Sequence, residues 1–273
     1  MKIYVKSAIV PIGDEPDEVR REVARNPAAS PDVLAELSKD PTWRVRKSVV
    51  NNPNTSMETF EDMAKMQDSR YRRAVAKSPL TPPELLAQLA TDRGYTVRSA
   101  VAKNPNTSIE TLEKLANDKN IDVVWNALQN PNADKLREQL YDSSDYSIAS
   151  AIACCKYTST DLLDKMVDAN SPVISTVAAN HHTSVATLTK IANSASSSEP
   201  LKNVVMNPNT PANLISEIYN REDLDKLPGV SMAIAKNPNT PVSILKEIAN
   251  NTEYMGLAYY AKETLRKLHI DYR

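Results

Sequence analysis

Arg21, Lys47 and Arg73 stand at 26-residue intervals, and the same column continues through Ser99 and Trp125 to Ser150, Ser175, Lys202 and Met232. Four residues on, a second column reads Arg25, Asn51, Lys77, Lys103 and Gln129, then Cys154, Ala179, Met206 and Lys236. Residues four apart share one face of a helix. If these positions are helical, they draw a basic stripe over the first four intervals that ends at Trp125. Guanidinium groups fork onto carboxylates and phosphates, ammonium groups add point charges, and an aromatic ring supplies a rigid anchor. That chemistry is the gripping of an anionic partner. A solvated helix face is the competing account, because Glu58, Glu61 and Asp62 follow closely enough to neutralise the stripe.

Other side chains offer less. His181 and His182 are adjacent, but no third ligand stands at a recognisable metal spacing. Cys154 and Cys155 are neighbours and would bridge only with strain. No Ser/His/Asp, Cys/His or paired-carboxylate arrangement has an informative spacing. The four glycines, Gly13, Gly94, Gly229 and Gly256, cannot build a phosphate-cradling loop. The sequence therefore predicts no catalytic residue, no metal and no cofactor. Basic and acidic residues number 33 and 34, so bulk charge draws the chain to neither nucleic acid nor an anionic membrane. No apolar run approaches the roughly 20 residues that span a bilayer. The opening "MKIYVKSAIVPIGDEPDE" lacks the form of a secretory leader. A reducing, cytoplasmic setting is expected.

The stripe needs elements to hold it, and prolines mark them. They fall at 27, 53, 79, 105 and 131. Aligned passes begin at Val19, Val45, Tyr71 and Val97, and looser ones near Val123, Ile148, Val173, Pro200 and Val230, giving nine in all. Each pass reads as a short helix A such as "VRSAVAK", a corner such as "NPNT", and a helix B such as "SIETLEKLA". Proline cannot continue helix A, and it bars the residue before it from helical geometry. Thr55, Thr81 and Thr107, each followed three residues later by glutamate, are predicted N-caps of helix B. Pro82, Pro211 and Pro241 are predicted at the first helical position.

Helix B carries apolar pairs such as Leu34/Leu37, Leu112/Leu115 and Leu188/Ile191. Helix A carries a column from Val23, Val49, Val75 and Val101 to Ile234. Helices this short do not persist alone in water, so both columns must be buried by neighbouring passes. The residue before the proline forms an asparagine column: Asn26, Asn52, Asn104, Asn130, Asn180, Asn207 and Asn237, interrupted by Ser78 and Cys155. Its amides are expected to bond backbone groups left open at the corner. Arg20, Arg46, Arg72 and Arg98 occupy a column that later holds Val124, Ala149, Ile174, Leu201 and Ser231. A column that accepts those residues is at least half buried, so its arginines are expected to pair with Asp40, Asp68, Asp92 or Asp118. Trp43 is expected to be a packing plug.

At "VRSAVAKNPNTSIETLEKLAND" the chain resembles the leucine-rich repeat variant family, strongly over Val19–Asp122, recognisably over Gly229–Asn250 and weakly between. The resemblance implies an all-α, right-handed superhelical solenoid of about nine to ten two-helix repeats, with some of the helices 3₁₀. Some relatives hold a cysteine-ligated iron–sulfur cluster, and the four spaced cysteines it needs are missing here.

The expected organisation is one solenoid over residues 1–273. Residues 1–18 form an N-terminal cap, in which "KIYVKSAIV" has a strand-like pattern, residues 19–253 the repeats, and residues 254–273 a capping helix. The expected function is a non-enzymatic scaffold that binds another protein or peptide, with no membrane role. The alternative is nucleic-acid binding through the stripe Arg21, Arg25, Lys47, Asn51, Arg73, Lys77, Lys103, Trp125 and Gln129.

Overall fold

A computed structural model describes residues 15–141, 145–167, 172–227, 229–251 and 253–271. The strand-like stretch of residues 2–10 lies outside the described residues. The chain divides into two compact units, Met1–Ala133 and Asp134–Arg273. The described residues are helical, with no strand among them.

The first unit contains α1 (Asp17–Arg25), α2 (Pro31–Leu37), α3 (Trp43–Val49), α4 (Met57–Lys65), α5 (Ser69–Lys77), α6 (Pro83–Leu89), α7 (Tyr95–Lys103), α8 (Ile109–Leu115) and α9 (Ile121–Leu128). The second contains α10 (Asp134–Leu140), α11 (Tyr146–Cys154), α12 (Thr160–Lys165), α13 (Ile174–Ala179), α14 (Val185–Ser194), α15 (Ser198–Met206), α16 (Ala212–Tyr219), α17 (Val230–Lys236), α18 (Val242–Asn250) and α19 (Met255–Lys267). Both helices of each pass are α-helical. The 3₁₀ geometry implied by the resemblance is confined, among the described residues, to the linker turn Leu224–Lys226. None of these helices is long and apolar enough to cross a membrane.

Within each unit the odd-numbered helices stack on one another: α1 on α3, α3 on α5, α5 on α7 and α7 on α9, then α11 on α13, α13 on α15, α15 on α17 and α17 on α19. Val49, Val75, Val101, Ile152, Val177, Val204 and Ile234 have no exposed surface, and Val23 is half-buried. The paired apolar residues of helix B are all buried. Each fully buried aliphatic side chain contributes about 1.5–3 kcal/mol, which makes this double column the main source of cohesion.

The corners are tied by asparagine. Asn104 donates through Nδ2 to the carbonyls of Ala76 and Ser78, both at 2.8 Å, one pass upstream. Its Oδ1 accepts from the Asn106 amide at 2.9 Å. Asn52, Asn130, Asn180 and Asn207 repeat the arrangement. The second asparagine of the corner forms a parallel line, with Asn106 reaching the Pro79 carbonyl at 2.6 Å and Asn132 the Pro105 carbonyl at 2.7 Å. A buried carbonyl without a partner is costly, so this ladder fixes each corner against the one before it. Ser78 keeps one rung, donating to the Val50 carbonyl. Cys155 keeps only the local bond, its Sγ accepting from the Tyr157 amide at 3.4 Å.

The threonines act one step away from their predicted role. Thr107 donates from Oγ1 to the Val101 carbonyl at 2.6 Å, closing the end of helix A, and Thr55 and Thr81 do the same for Val49 and Val75. With those hydroxyls turned backward, capping passes to the next residue: Ser56 and Ser108 accept from the Thr59 and Thr111 amides. Pro82, Pro211 and Pro241 likewise stand at the N-cap, one residue earlier than predicted. His181 and His182 replace Pro-Asn yet keep the corner. The His181 carbonyl accepts from Asn209 at 2.7 Å, and the His182 amide donates to Asn180 Oδ1 at 2.9 Å.

Candidate functional site

The helix A termini of the first unit bring most of the stripe together. Between α3 and α5 lies a groove of about 630 Å³ walled by Trp43, Arg46, Lys47, Asn51, Arg73 and Lys77, with Val50 and Ala74 among its lining. A second groove, of about 350 Å³, adds Arg21, Arg25 and Arg44 and shares Trp43, Lys47 and Asn51 with the first. The three shared residues thus form a ridge between two cationic troughs. Lys103, on α7, stacks next to α5 and acts on Lys77 electrostatically. Trp125 and Gln129 belong to the α9 pass and line neither groove.

Trp43 corrects an expectation. It is the first residue of α3 and is 55% exposed, so it plugs nothing. The Arg44 guanidinium lies 5.8 Å from its ring centroid and the Lys47 ammonium 6.0 Å from it. An exposed indole ring with two cations about 6 Å from its centroid offers a flat apolar contact inside a positive field.

The expected neutralisation by helix B does not occur. Glu61 pairs with Lys65 at 3.7 Å, and Arg25 pairs with Glu22 at 3.1 Å, both on exposed surface. Among the described residues, neither Glu58 nor Asp62 forms an ion pair, and Arg21, Lys47, Arg73, Lys77 and Lys103 have no carboxylate within 4.0 Å. Partial burial, with Arg73, Lys103 and Lys47 close by, holds the Lys77 ammonium below the usual lysine range.

Beneath the stripe runs the inner arginine column. Arg72 forks onto Asp92, with Nε to Oδ2 at 2.5 Å and Nη2 to Oδ1 at 3.0 Å, and Nη1 caps the Met66 and Gln67 carbonyls at 2.7 Å. Arg98 forks onto Asp118 and Arg20 onto Asp40 in the same way, each acid 20 residues downstream. Each aspartate also accepts from the backbone amide two residues on, at 2.7–2.9 Å, and so shapes the entry to the next helix A.

Arg46 departs from this pattern. Position 66, the register of the other acids, holds methionine. Asp68, expected as a partner, turns instead to Arg70, whose Nη2 lies 2.6 Å away. Arg46 is 2% exposed, donates from Nη1 to the Asp40 and Pro41 carbonyls, and lies 4.1 Å over the Tyr71 ring. It forms no ion pair among the described residues, and it lines the larger groove. The sequence reading missed Arg46, Trp43, Arg44 and Arg70 as groove residues. Met66 was the available signal for Arg46, since it breaks the arginine–aspartate spacing.

These pairs of short helices, stacked through shared columns, define an α-helical repeat scaffold. The leucine rich repeat variant family model matches residues 17–42 and 95–120, each one full pass ending just beyond Asp40 or Asp118. A solved structure described as a leucine-rich repeat variant with a novel repetitive structural motif is 19% identical. The likeness covers 90% of this chain and 86% of that one, with a TM-score of 0.45. An engineered protein is 14% identical over 91% of this chain and 94% of its own, with a TM-score of 0.31. No curated protein matches the chain.

Proposed function

We propose that this chain is a non-enzymatic binding scaffold, that its partner is another protein, and that the partner docks an acidic segment along α1, α3, α5 and α7. The observation that carries this reading is the row of cations at Lys47, Arg73, Lys77 and Lys103, which no carboxylate of the described residues neutralises. A scaffold of stacked passes holds such groups at fixed spacing, so little is lost in ordering them when a ligand arrives. A reducing, cytoplasmic setting belongs to the same reading, since Cys154 and Cys155 are adjacent and no disulfide joins either among the described residues.

The test is binding of a degenerate peptide library rich in aspartate and glutamate, with a lysine-rich library as control. The acidic library is expected to bind, and Arg73→Glu with Lys77→Glu to weaken it about tenfold or more without loss of thermal stability. Equal binding by wild type and double variant removes the site. A second reading, nucleic-acid binding, is favoured by the exposed Trp43 ring flanked by cations, an arrangement that can stack a base. Single-stranded RNA that binds more tightly than the acidic library, with affinity falling steeply as salt rises, selects it.

A further inference from the structure

Arg46 is a buried arginine that lacks the carboxylate fork of its neighbours: its charge helps to hold Asp40 and Asp68 low, but neither acid pairs with it. At Arg20, Arg72 and Arg98 the Nε–Nη2 edge is taken by an aspartate 20 residues on. At Arg46 that register holds Met66, and Asp68 spends its oxygens on Arg70 and the Arg70 amide. Arg46 donates through Nη1, to the Asp40 and Pro41 carbonyls. Of the four inner arginines, this one lines the large groove, alongside Lys47, Arg73 and Lys77. Four cations that form no ion pair among the described residues therefore converge on about 630 Å³ of space lined also by Val50, Ala74 and the Asp68-paired Arg70.

We propose that this groove receives a phosphorylated side chain on the acidic segment of a protein partner, its phosphoryl oxygens taking the place beside Arg46 that aspartate fills elsewhere. This deepens the reading under Proposed function and rests on it. A phosphoryl group brings close to two negative charges and three acceptor oxygens, which suits an arginine fork joined by two lysines and a second arginine better than one carboxylate does. A protein segment fits better than a nucleic-acid strand. The surplus charge is concentrated in one groove, and the stripe turns neutral at Ser99, Trp125 and Gln129, where a repeating polyanion would need the track to continue. The net charge of −1 adds no general attraction for such a polymer.

The experiment compares two degenerate acidic peptide libraries that differ only in a fixed central phosphoserine or serine, measured on wild type, Met66→Asp, Arg46→Gln and Arg73→Glu/Lys77→Glu, with melting temperatures recorded. Wild type is expected to prefer the phosphorylated library by about tenfold or more. Met66→Asp restores the carboxylate register beside Arg46 and replaces none of the groove cations. It is expected to fold and to bring the preference near unity while changing serine-library binding about twofold at most. Arg46→Gln, read only as the ratio of the two libraries, is expected to bring the preference near unity as well. Equal binding of both libraries by wild type, or a preference that survives Met66→Asp, overturns the proposal and leaves the acidic-segment reading standing. Insensitivity of both libraries to Arg73→Glu/Lys77→Glu defeats that reading and this proposal together. Single-stranded RNA that displaces the phosphorylated library at lower concentration than serine-library peptide assigns the groove to nucleic-acid phosphate and overturns the proposal as well.

Discussion

In residues 15–133 the outward columns of helix A hold Arg21, Arg25, Lys47, Arg73, Lys77 and Lys103 together with Asn51, Ser99, Trp125 and Gln129, whereas in residues 134–273 they hold Ser150, Cys154, Ser175, Ala179, Lys202, Met206, Met232 and Lys236. The inward columns hardly change: Val101 and Val204 are equally buried, as are Leu112 and Leu188. Between the two layers lies the inner column, where Arg72 and Arg98 of the first unit correspond to Ala149 and Leu201 of the second. The comparison teaches that stacking depends on the apolar columns and the asparagine ladder. The ion-pair column is one of two ways to fill the intermediate layer, and the outermost column is free to vary with function.

The largest effects should be common to both units. Leu112→Ala and Leu188→Ala each leave a cavity in the paired helix B column and are expected to cost about 2–5 kcal/mol in urea unfolding. A marked cost in one unit alone would show that the columns are not equivalent. Asn104→Ala and Asn207→Ala each strand two buried carbonyls and one amide, with an expected cost of about 2–3 kcal/mol apiece.

The inner column should separate the units. Asp118→Asn leaves Arg98 without its counter-charge and should cost about 2 kcal/mol, while Arg98→Leu combined with Asp118→Asn should return to within about 1 kcal/mol of wild type, as Leu201 implies. Acid should act on the same place. The Asp118 carboxyl is held below its usual range by the Arg98 hydrogen bonds. For Asp40 and Asp92 burial pushes upward, but the bonds from Arg20 and Arg72 outweigh it. Because these folded-state values are depressed, their contribution is complete above the ordinary aspartate value of about 4 and is lost as pH falls through and below it. Among the described residues of the second unit, Arg221 holds the Asp223 carboxyl low in the same way but on more exposed surface, and buried Arg137 pairs with an Asp134 that is itself exposed. Hydrogen exchange during acidification should therefore show α1, α5 and α7 losing protection before α13 and α15.

The smallest effect concerns the stripe itself. Arg73 and Lys77 are like charges four residues apart on α5, so Lys77→Gln should stabilise at low salt by about 0.3–0.5 kcal/mol and by less at high salt. A destabilisation would mean that Lys77 contributes to the fold.

The sequence carried the architecture because prolines, asparagines and paired leucines recur at one interval, and each has a single structural use there. Local bonding was read less sharply. Thr107 and Ser108 both suit a cap, and what decides between them is the Val101 carbonyl, which only the folded corner brings within reach. The stripe was visible as a pattern, but its charge balance was not. Glu61 and Asp62 lie near the stripe in sequence, yet the faces of α3, α4 and α5 determine which cation each can reach, and Glu61 meets Lys65. Trp43 was misread because its place between linker and helix gives no indication of burial. The isolation of Arg46 was legible in Met66, and it gained meaning once Arg46 was seen lining a groove.

The most direct test of the central claim, that the cations at the ends of α3 and α5 are the docking surface while the repeats only hold them, is a hydrogen-exchange footprint with the tightest peptide from the acidic library. Slower exchange on peptide binding at residues 43–51 and 69–78, with the outward faces of α13, α15 and α17 unaffected, is the result predicted. Protection centred on the Met206 and Met232 faces of the second unit, with α3 and α5 unchanged, would contradict it.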